Sequence, residues 1–150
     1  MRLLIQRCLE ASVDIAGQRQ AGIGRGLLVL VGIEHEDTQG DAQWMAAKLV
    51  GMRLFADEAG KMNCSLREVN GELLVVSQFT LHAQCAKGNR PSFIRAARPE
   101  VAIPLYEFFL QELETLLGQP VPRRVFGADM QVALINDGPV TIWLDSRDRQ

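Results

Sequence analysis

No apolar run in this chain of 150 residues approaches the roughly 20 residues needed to span a bilayer as a helix, so a helical membrane protein is excluded. Cysteine is scarce as well. Cys8, Cys64 and Cys85 are odd in number, widely spaced and without a Cys-x-x-Cys, which argues against a disulfide framework or a thiolate zinc site. His35, among Glu34, Glu36 and Asp37, stands in a polar stretch with no helical His-x-x-x-His pair; it reads as exposed loop, and no metal is expected. An excess of positive charge is also missing. The formal net charge of −2 offers no overall attraction for nucleic acid, so any RNA contact must use a local patch. Lys87, Arg90, Arg95 and Arg98 form one such cluster and Arg123-Arg124 another, although most clusters of this size are solvated surface. Internal repeats and low-complexity segments are absent. Leu3-Leu4-Ile5 gives way at once to Gln6 and Arg7, too short a core for a signal peptide, so a cytoplasmic protein is expected.

What remains is an ordinary globular composition, 47% hydrophobic and 23% charged. The length suits one domain, residues 1–150, able to bury roughly two-thirds of its unfolded surface. Arg2 to Cys8 reads as a first strand and Ala11 to Ala16 as a second, followed by a turn at Gly17-Gln18. Gly22-x-Gly24-x-Gly26 precedes the apolar run Leu27 to Val31. Glycines ahead of a strand are not a dinucleotide fingerprint; they suit turns and close backbone approach. Asp37 or Thr38 can cap a helix over Asp41 to Leu54, whose Trp44, Met45, Lys48, Leu49 and Met52 recur at helical spacing and should pack on the sheet. Asp57 to Lys61 is a turn, and Asn70-Gly71 carries a hairpin signal.

A second helix begins between Pro99 and Pro104, buries Leu105, Phe108, Phe109, Leu113, Leu116 and Leu117, and ends at Gly118. Met130 to Ile135 and Val140 to Leu144 are further strands; the charged tail, residues 146–150, is expected to fray. Six or so strands with two main helices make an α+β fold, a single domain with a curled or barrel-like sheet against which the helices pack.

Two segments could carry chemistry. Leu73 to Leu81 is an apolar run, Leu73-Leu74-Val75-Val76, that turns polar at Ser77, Gln78 and Thr80 before a loop-like stretch. Four branched residues in a row suit a strand buried on both faces, and hydrogen-bonding side chains at its end would sit on a rigid support. The plainer reading is that Ser77 and Thr80 only satisfy local backbone groups. Asn136-Asp137-Gly138 is likewise an ordinary turn signal, but Pro139 directly after it removes a ladder donor and permits a cis bond. A cis Gly138-Pro139 peptide would point two successive carbonyl oxygens the same way, a pair able to accept hydrogen bonds from a cationic amine.

Ser77-Gln78-Phe79-Thr80-Leu81 together with Asn136-Asp137-Gly138-Pro139-Val140-Thr141 resembles the two signature motifs of the D-aminoacyl-tRNA deacylases. The resemblance extends to Ile5-Gln6-Arg7, Gly26 to Leu30, Lys61-Met62-Asn63 and Arg90-Pro91-Ser92-Phe93. It implies a homodimeric hydrolase without cofactor that cleaves the ester between a D-amino acid and the 3′ end of tRNA. It also implies active sites at the subunit interface, where the strand-end motif of one subunit meets the Gly-Pro turn of the other. Gly138 and Pro139 would then bind the substrate's α-amino group, with Arg7 holding the turn.

Backbone N–H groups near Phe79 and Thr80 are candidates for an oxyanion site. Thr80 is a candidate nucleophile, with His82 as its base if both lie on one face of an extended segment. The alternative is assistance by the ribose 2′-hydroxyl, with Thr80 only positioning. Phe79 and Phe93 are candidates to line an adenosine pocket, core packing being the other reading. Two further classes stay open. One is a noncatalytic RNA-binding module that uses the Lys87 to Arg98 patch. The other is a small-ester hydrolase that uses Thr80 with His82 or Cys85.

Overall fold

The computed structural model describes residues 1–123 and 125–149, so Arg124 of the second basic pair and Gln150 of the tail lie outside the described residues. Its elements are β1 (Arg2–Ile15), β2 (Gln18–Ile23), β3 (Gly26–Gly32), α1 (Gln39–Gly51), β4 (Phe55–Ala56), β5 (Met62–Cys64), β6 (Glu72–Ser77), a 3₁₀ turn (Phe79–His82), α2 (Pro99–Leu117) and β7 (Gln131–Asp145). The main sheet runs β2-β1-β3-β6 with β7 on the far side of β1. Every pairing in it is antiparallel except β3 with β6. The α+β class, the curled sheet and the two helices are as the sequence predicts.

The unbroken apolar runs of β3 and β6 are explained by a sheet covered on both faces. Leu27, Val29, Val31, Leu73 and Val75 point into one core with α1 and α2. Leu28, Leu74 and Val76 point the other way, into a smaller core with Cys8, Ala11, Val13, Ala21 and Ile23 where the sheet curls over itself. Close approach of β3 and β6 requires Gly26: a Cβ there would lie 1.9 Å from the Glu72 carbonyl oxygen. Thr38, not Asp37, caps α1 through a capping box with Asp41. Its buried face is Ala42, Met45, Ala46, Leu49 and Val50, while Trp44 is half-buried and Lys48 exposed. Gly118 closes α2 in the left-handed region (φ 70°), and the Tyr106 hydroxyl, 3.1 Å from the Val75 carbonyl oxygen, ties α2 to the outer side of β6.

Several local expectations are corrected. Arg2 to Ile15 is one strand, because its pairing to β7 resumes past each interruption; the register shifts between Gln6 and Cys8 and again between Cys8 and Glu10, and the exposed Leu9 has no partner on β7. Residues 18–23 form a strand despite their glycine. Asn70-Gly71 turns the chain without a hairpin, since β6 pairs in parallel with β3 instead of with β5. Residues 131–145 form a single strand along β1, with no hairpin at Asn136-Asp137-Gly138. The tail is held as far as it is described: Ser146 is buried and donates its N–H to the Met1 carbonyl oxygen, and Arg149 pairs with Asp41 at 3.2 Å and stacks over Trp44.

Candidate active site

Strand β6 ends at Ser77, which is paired with Val31 one residue before the end of β3, and the Gln78 N–H closes onto the Val31 carbonyl oxygen at 2.7 Å. The backbone then winds into a 3₁₀ turn instead of continuing extended. In such a turn residues two apart point to different sides. Thr80 is exposed, whereas His82 is buried at 1% and packs against Gly32. The expected shared face of Thr80 and His82 is therefore absent. Neither imidazole nitrogen makes a hydrogen bond among the described residues. Burial pushes the imidazole below its ordinary value of 6.5, the Gly32 backbone and Glu34 pull it back up, and Arg2 and the terminal ammonium add to the lowering. His82 is a core residue, and the small-ester hydrolase reading loses one of its two candidate partners for Thr80, the exposed Cys85 being the other.

The Thr80 hydroxyl instead accepts a hydrogen bond from the Gln78 amide at 2.6 Å. The Ser77 hydroxyl accepts one from the Gly127 N–H at 3.4 Å. The N–H groups of Phe79 and Thr80 open the turn and have no acceptor among the described residues, as first-turn donors ordinarily do not. Beside them lies a cavity of about 380 Å³ whose walls include Ser77, Gln78, Phe79, Ala97, Pro99 and Phe126. Phe79 is 54% exposed and meets the half-buried Phe93 edge to face, centroids 5.1 Å apart. Ser77, Gln78, Phe79, Thr80 and Phe93 are thus brought together at one mouth.

The second motif lies elsewhere on the chain. Gln6 pairs with Thr141 and Cys8 with Asn136, so residues 137–140 bulge out of β7 opposite Arg7 alone. The Gly138-Pro139 peptide is cis, and Gly138 has a φ of 140°. Arg7 holds the base of the bulge. Its Nε donates to the Asp137 carbonyl oxygen at 2.9 Å and its Nη1 to the Leu54 carbonyl oxygen. Asn136 closes the loop from inside, its Oδ1 accepting the Val140 N–H at 2.8 Å and its amide reaching the Thr141 hydroxyl at 3.2 Å. Sequence reasoning missed Asn136 as a structural tie, although an Asx side chain at a turn is the signal for it. It also missed Phe126 and Gly127, for which nothing in the local sequence speaks. Beneath the bulge, burial pushes the Cys8 thiol up, which leaves it unreactive.

Ser77 stands level with Leu3 across the sheet, four residues along from Arg7, and three strand spacings separate β6 from β7. Counted along the strands, the two motifs of the chain are therefore roughly 15–20 Å apart. Among the described residues, no group of three or more His, Cys, Asp or Glu side chains converges as for a metal ion, and no helix is long and apolar enough to cross a membrane.

This geometry has close relatives. The family model for D-Tyr-tRNA(Tyr) deacylase matches residues 4–145. A D-aminoacyl-tRNA deacylase of Akkermansia muciniphila is 62% identical over 150 residues, covering 100% of both chains. One of Cytophaga hutchinsonii is 61% identical over the same span and coverage. A solved structure described as a c-Myc DNA unwinding element binding protein superposes with a TM-score of 0.88 at 43% identity, covering 97% of this chain and 98% of that one. Another, described as a probable eukaryotic D-amino acid tRNA deacylase, gives 0.81 at 16% identity over 95% and 97% of the two chains, and shows the likeness of fold alone. With both motifs inside the matched span, the chain belongs to the D-Tyr-tRNA(Tyr) deacylase family.

Proposed function

We propose that this protein hydrolyses the ester of D-aminoacyl-tRNA in the cytoplasm, releasing the free D-amino acid and tRNA and rejecting the L-isomer by clash. The observation that carries the reading is the pair of unsatisfied N–H groups, Phe79 and Thr80, at the mouth of a cavity in a chain of this family. When water attacks the ester carbonyl, negative charge develops on its oxygen, and such donors each contribute typically 10²–10³-fold. The C–O bond to the ribose then breaks, and the ribose hydroxyl leaves as it takes up a proton. Thr80 has no base near its hydroxyl and already accepts from Gln78, which suits a positioning role, with the ribose 2′-hydroxyl assisting the attack.

A site that accepts many D-residues must read configuration at Cα. Rejection by a rigid backbone does this without the weak discrimination of an apolar pocket, about 1–3 kcal/mol per methylene. Gly138 and Pro139 are exposed on their bulge and too far from Ser77 to serve the same protomer's cavity. A second copy supplies them in this reading. The 15 residues of β7 include none that is buried, and they pair only with β1. Val132, Ile135 and Trp143 are exposed along that strand. A long apolar edge of this kind calls for a partner, and a homodimer covers it.

Purified protein should release the amino acid from D-Tyr-tRNA and from glycyl-tRNA, whose substrate has neither side chain, and leave L-Tyr-tRNA intact, with EDTA present or absent. Equal cleavage of the D and L substrates, or of neither, would overturn the reading; sedimentation as a monomer would remove the shared site.

A further inference from the structure

From Ala83 to Arg98 the chain carries Lys87, Arg90, Arg95 and Arg98 and not one acidic residue, in a protein whose net charge is −2. This segment joins the 3₁₀ turn to α2, and every described residue in it is exposed or half-buried. It is not a loose loop. Gln84 and Ser92 exchange two backbone hydrogen bonds, 2.8 and 3.0 Å, which clamp its neck. Arg95 is anchored to the buried Glu34 at 2.9 Å, and the Ala97 N–H donates to the Ile33 carbonyl oxygen at 2.9 Å. Arg95 is thus committed to the fold. Lys87, Arg90 and Arg98 have no acidic partner among the described residues. The same segment forms part of the rim of the cavity: Ala96 and Ala97 line it, next to Pro99 at the start of α2, and Phe93 meets Phe79 at its mouth.

Three uncompensated cations on a pinned strap beside a cavity, in an otherwise acidic protein, form a local anion site and not a general nucleic-acid surface. We propose that Lys87, Arg90 and Arg98 hold the phosphates of the RNA strand that leads into the cavity. This deepens the deacylase reading and rests on it. The strap takes the sugar-phosphate backbone just before the terminal nucleotide, while the cavity takes the terminal aminoacylated nucleoside. Such contacts carry no sequence information, so they add affinity for every charged tRNA alike. They suit an editing enzyme that must act regardless of the tRNA it meets.

The test compares wild type with the Lys87→Ala/Arg90→Ala/Arg98→Ala variant on two substrates across a salt series: D-Tyr-tRNA and D-Tyr-adenosine, which has no phosphate. On D-Tyr-tRNA at low salt the variant should lose about tenfold or more in kcat/KM, through KM. Its log–log salt slope should flatten by about two, since each single-strand phosphate contact contributes about 0.7. On D-Tyr-adenosine the two proteins should match. An unchanged slope and KM on tRNA would make the strap ordinary solvated surface, and an equal loss on both substrates would make it a wall of the pocket; either overturns the proposal. Salt-dependent binding of an uncharged RNA ending in CCA reads the strap independently of turnover. Wild type that binds this RNA through the three residues yet hydrolyses no D-substrate would refute the deacylase reading and not the strap.

Discussion

Ser77–His82 and Asn136–Thr141 both interrupt the main sheet, and they do so in opposite ways. At the first, the strand stops; the chain tightens into a 3₁₀ turn and leaves two N–H donors without an acceptor among the described residues, beside a cavity that Phe79 lines. At the second, the strand continues on both sides, and the extra residues are pushed outward from β1. The first break is held by the buried His82, packed against Gly32, and by Arg2, whose Nη1 donates to the Leu81 carbonyl oxygen at 2.9 Å, and its donors are left free. The second is tied by Arg7 from β1, by the Leu54 carbonyl and by the Asn136 side chain. A donor surface can be left over where a strand stops, whereas a projecting backbone bulge has to be built from distant residues. That difference predicts where single substitutions do damage.

The largest effect is expected at Gly138. A Cβ there would meet Val140 Cγ2 at 2.8 Å and the Val140 nitrogen at 3.0 Å, at a φ of 140° that L side chains rarely adopt. Gly138→Ala should displace the bulge and lower D-Tyr-tRNA hydrolysis on the order of 10²-fold, the scale of a 1 Å misplacement in a site. The melting temperature should stay near wild type, because the bulge is exposed. Rates within a few-fold of wild type would show that the second break is no part of the site. Thr80→Ala comes next, with a loss of less than about tenfold if the hydroxyl only positions; a fall of about 10³-fold or more would make it the nucleophile. Such a fall would also erase the contrast between a main-chain donor surface and a side-chain site.

The smallest effect concerns His82, which anchors the first break in the core. Its imidazole titrates lower in the folded chain than its ordinary 6.5, because burial disfavours the cation. The unfolded chain therefore takes up a proton first as pH falls. The stabilisation is fully present above about 6.5 and declines below it, so the melting temperature should drop modestly between pH 7.5 and 5.5. His82→Gln should reduce that pH dependence; an unchanged slope would mean that His82 does not titrate in this window.

The parts legible in the sequence were those with a local period or a local cap. The stripe of α2 with its closing Gly118 and the capped start of α1 follow from spacing and caps, and the two-faced burial of Leu73 to Val76 follows from an unbroken run. The misreadings share one cause. Residues 9–10 lie between the two strands expected in β1, and Asn136-Asp137-Gly138 is a turn signal in β7, yet pairing between β1 and β7 resumes past each and makes one strand of both. Turn residues state a preference that long-range hydrogen bonding overrides. The extended reading of Thr80 and His82 failed similarly, because whether a strand continues depends on a neighbour that local sequence does not show.

Only the strand end at Ser77 to Phe79 carried a sequence signal for the cavity. Its walls come from β3, the end of β6, the start of α2 and residues 126–127, which only folding assembles. By itself the sequence determined the class of fold, the two motifs and the family they resemble, because side-chain period and short motifs are properties of neighbouring residues. Only the tertiary structure decided that His82 is core, that Asn136 ties the bulge, that three cations of one strap have no acidic partner among the described residues, and that the two motifs stand roughly 15–20 Å apart across the sheet. Those are matters of register and distance across strands, set by which backbone groups find each other.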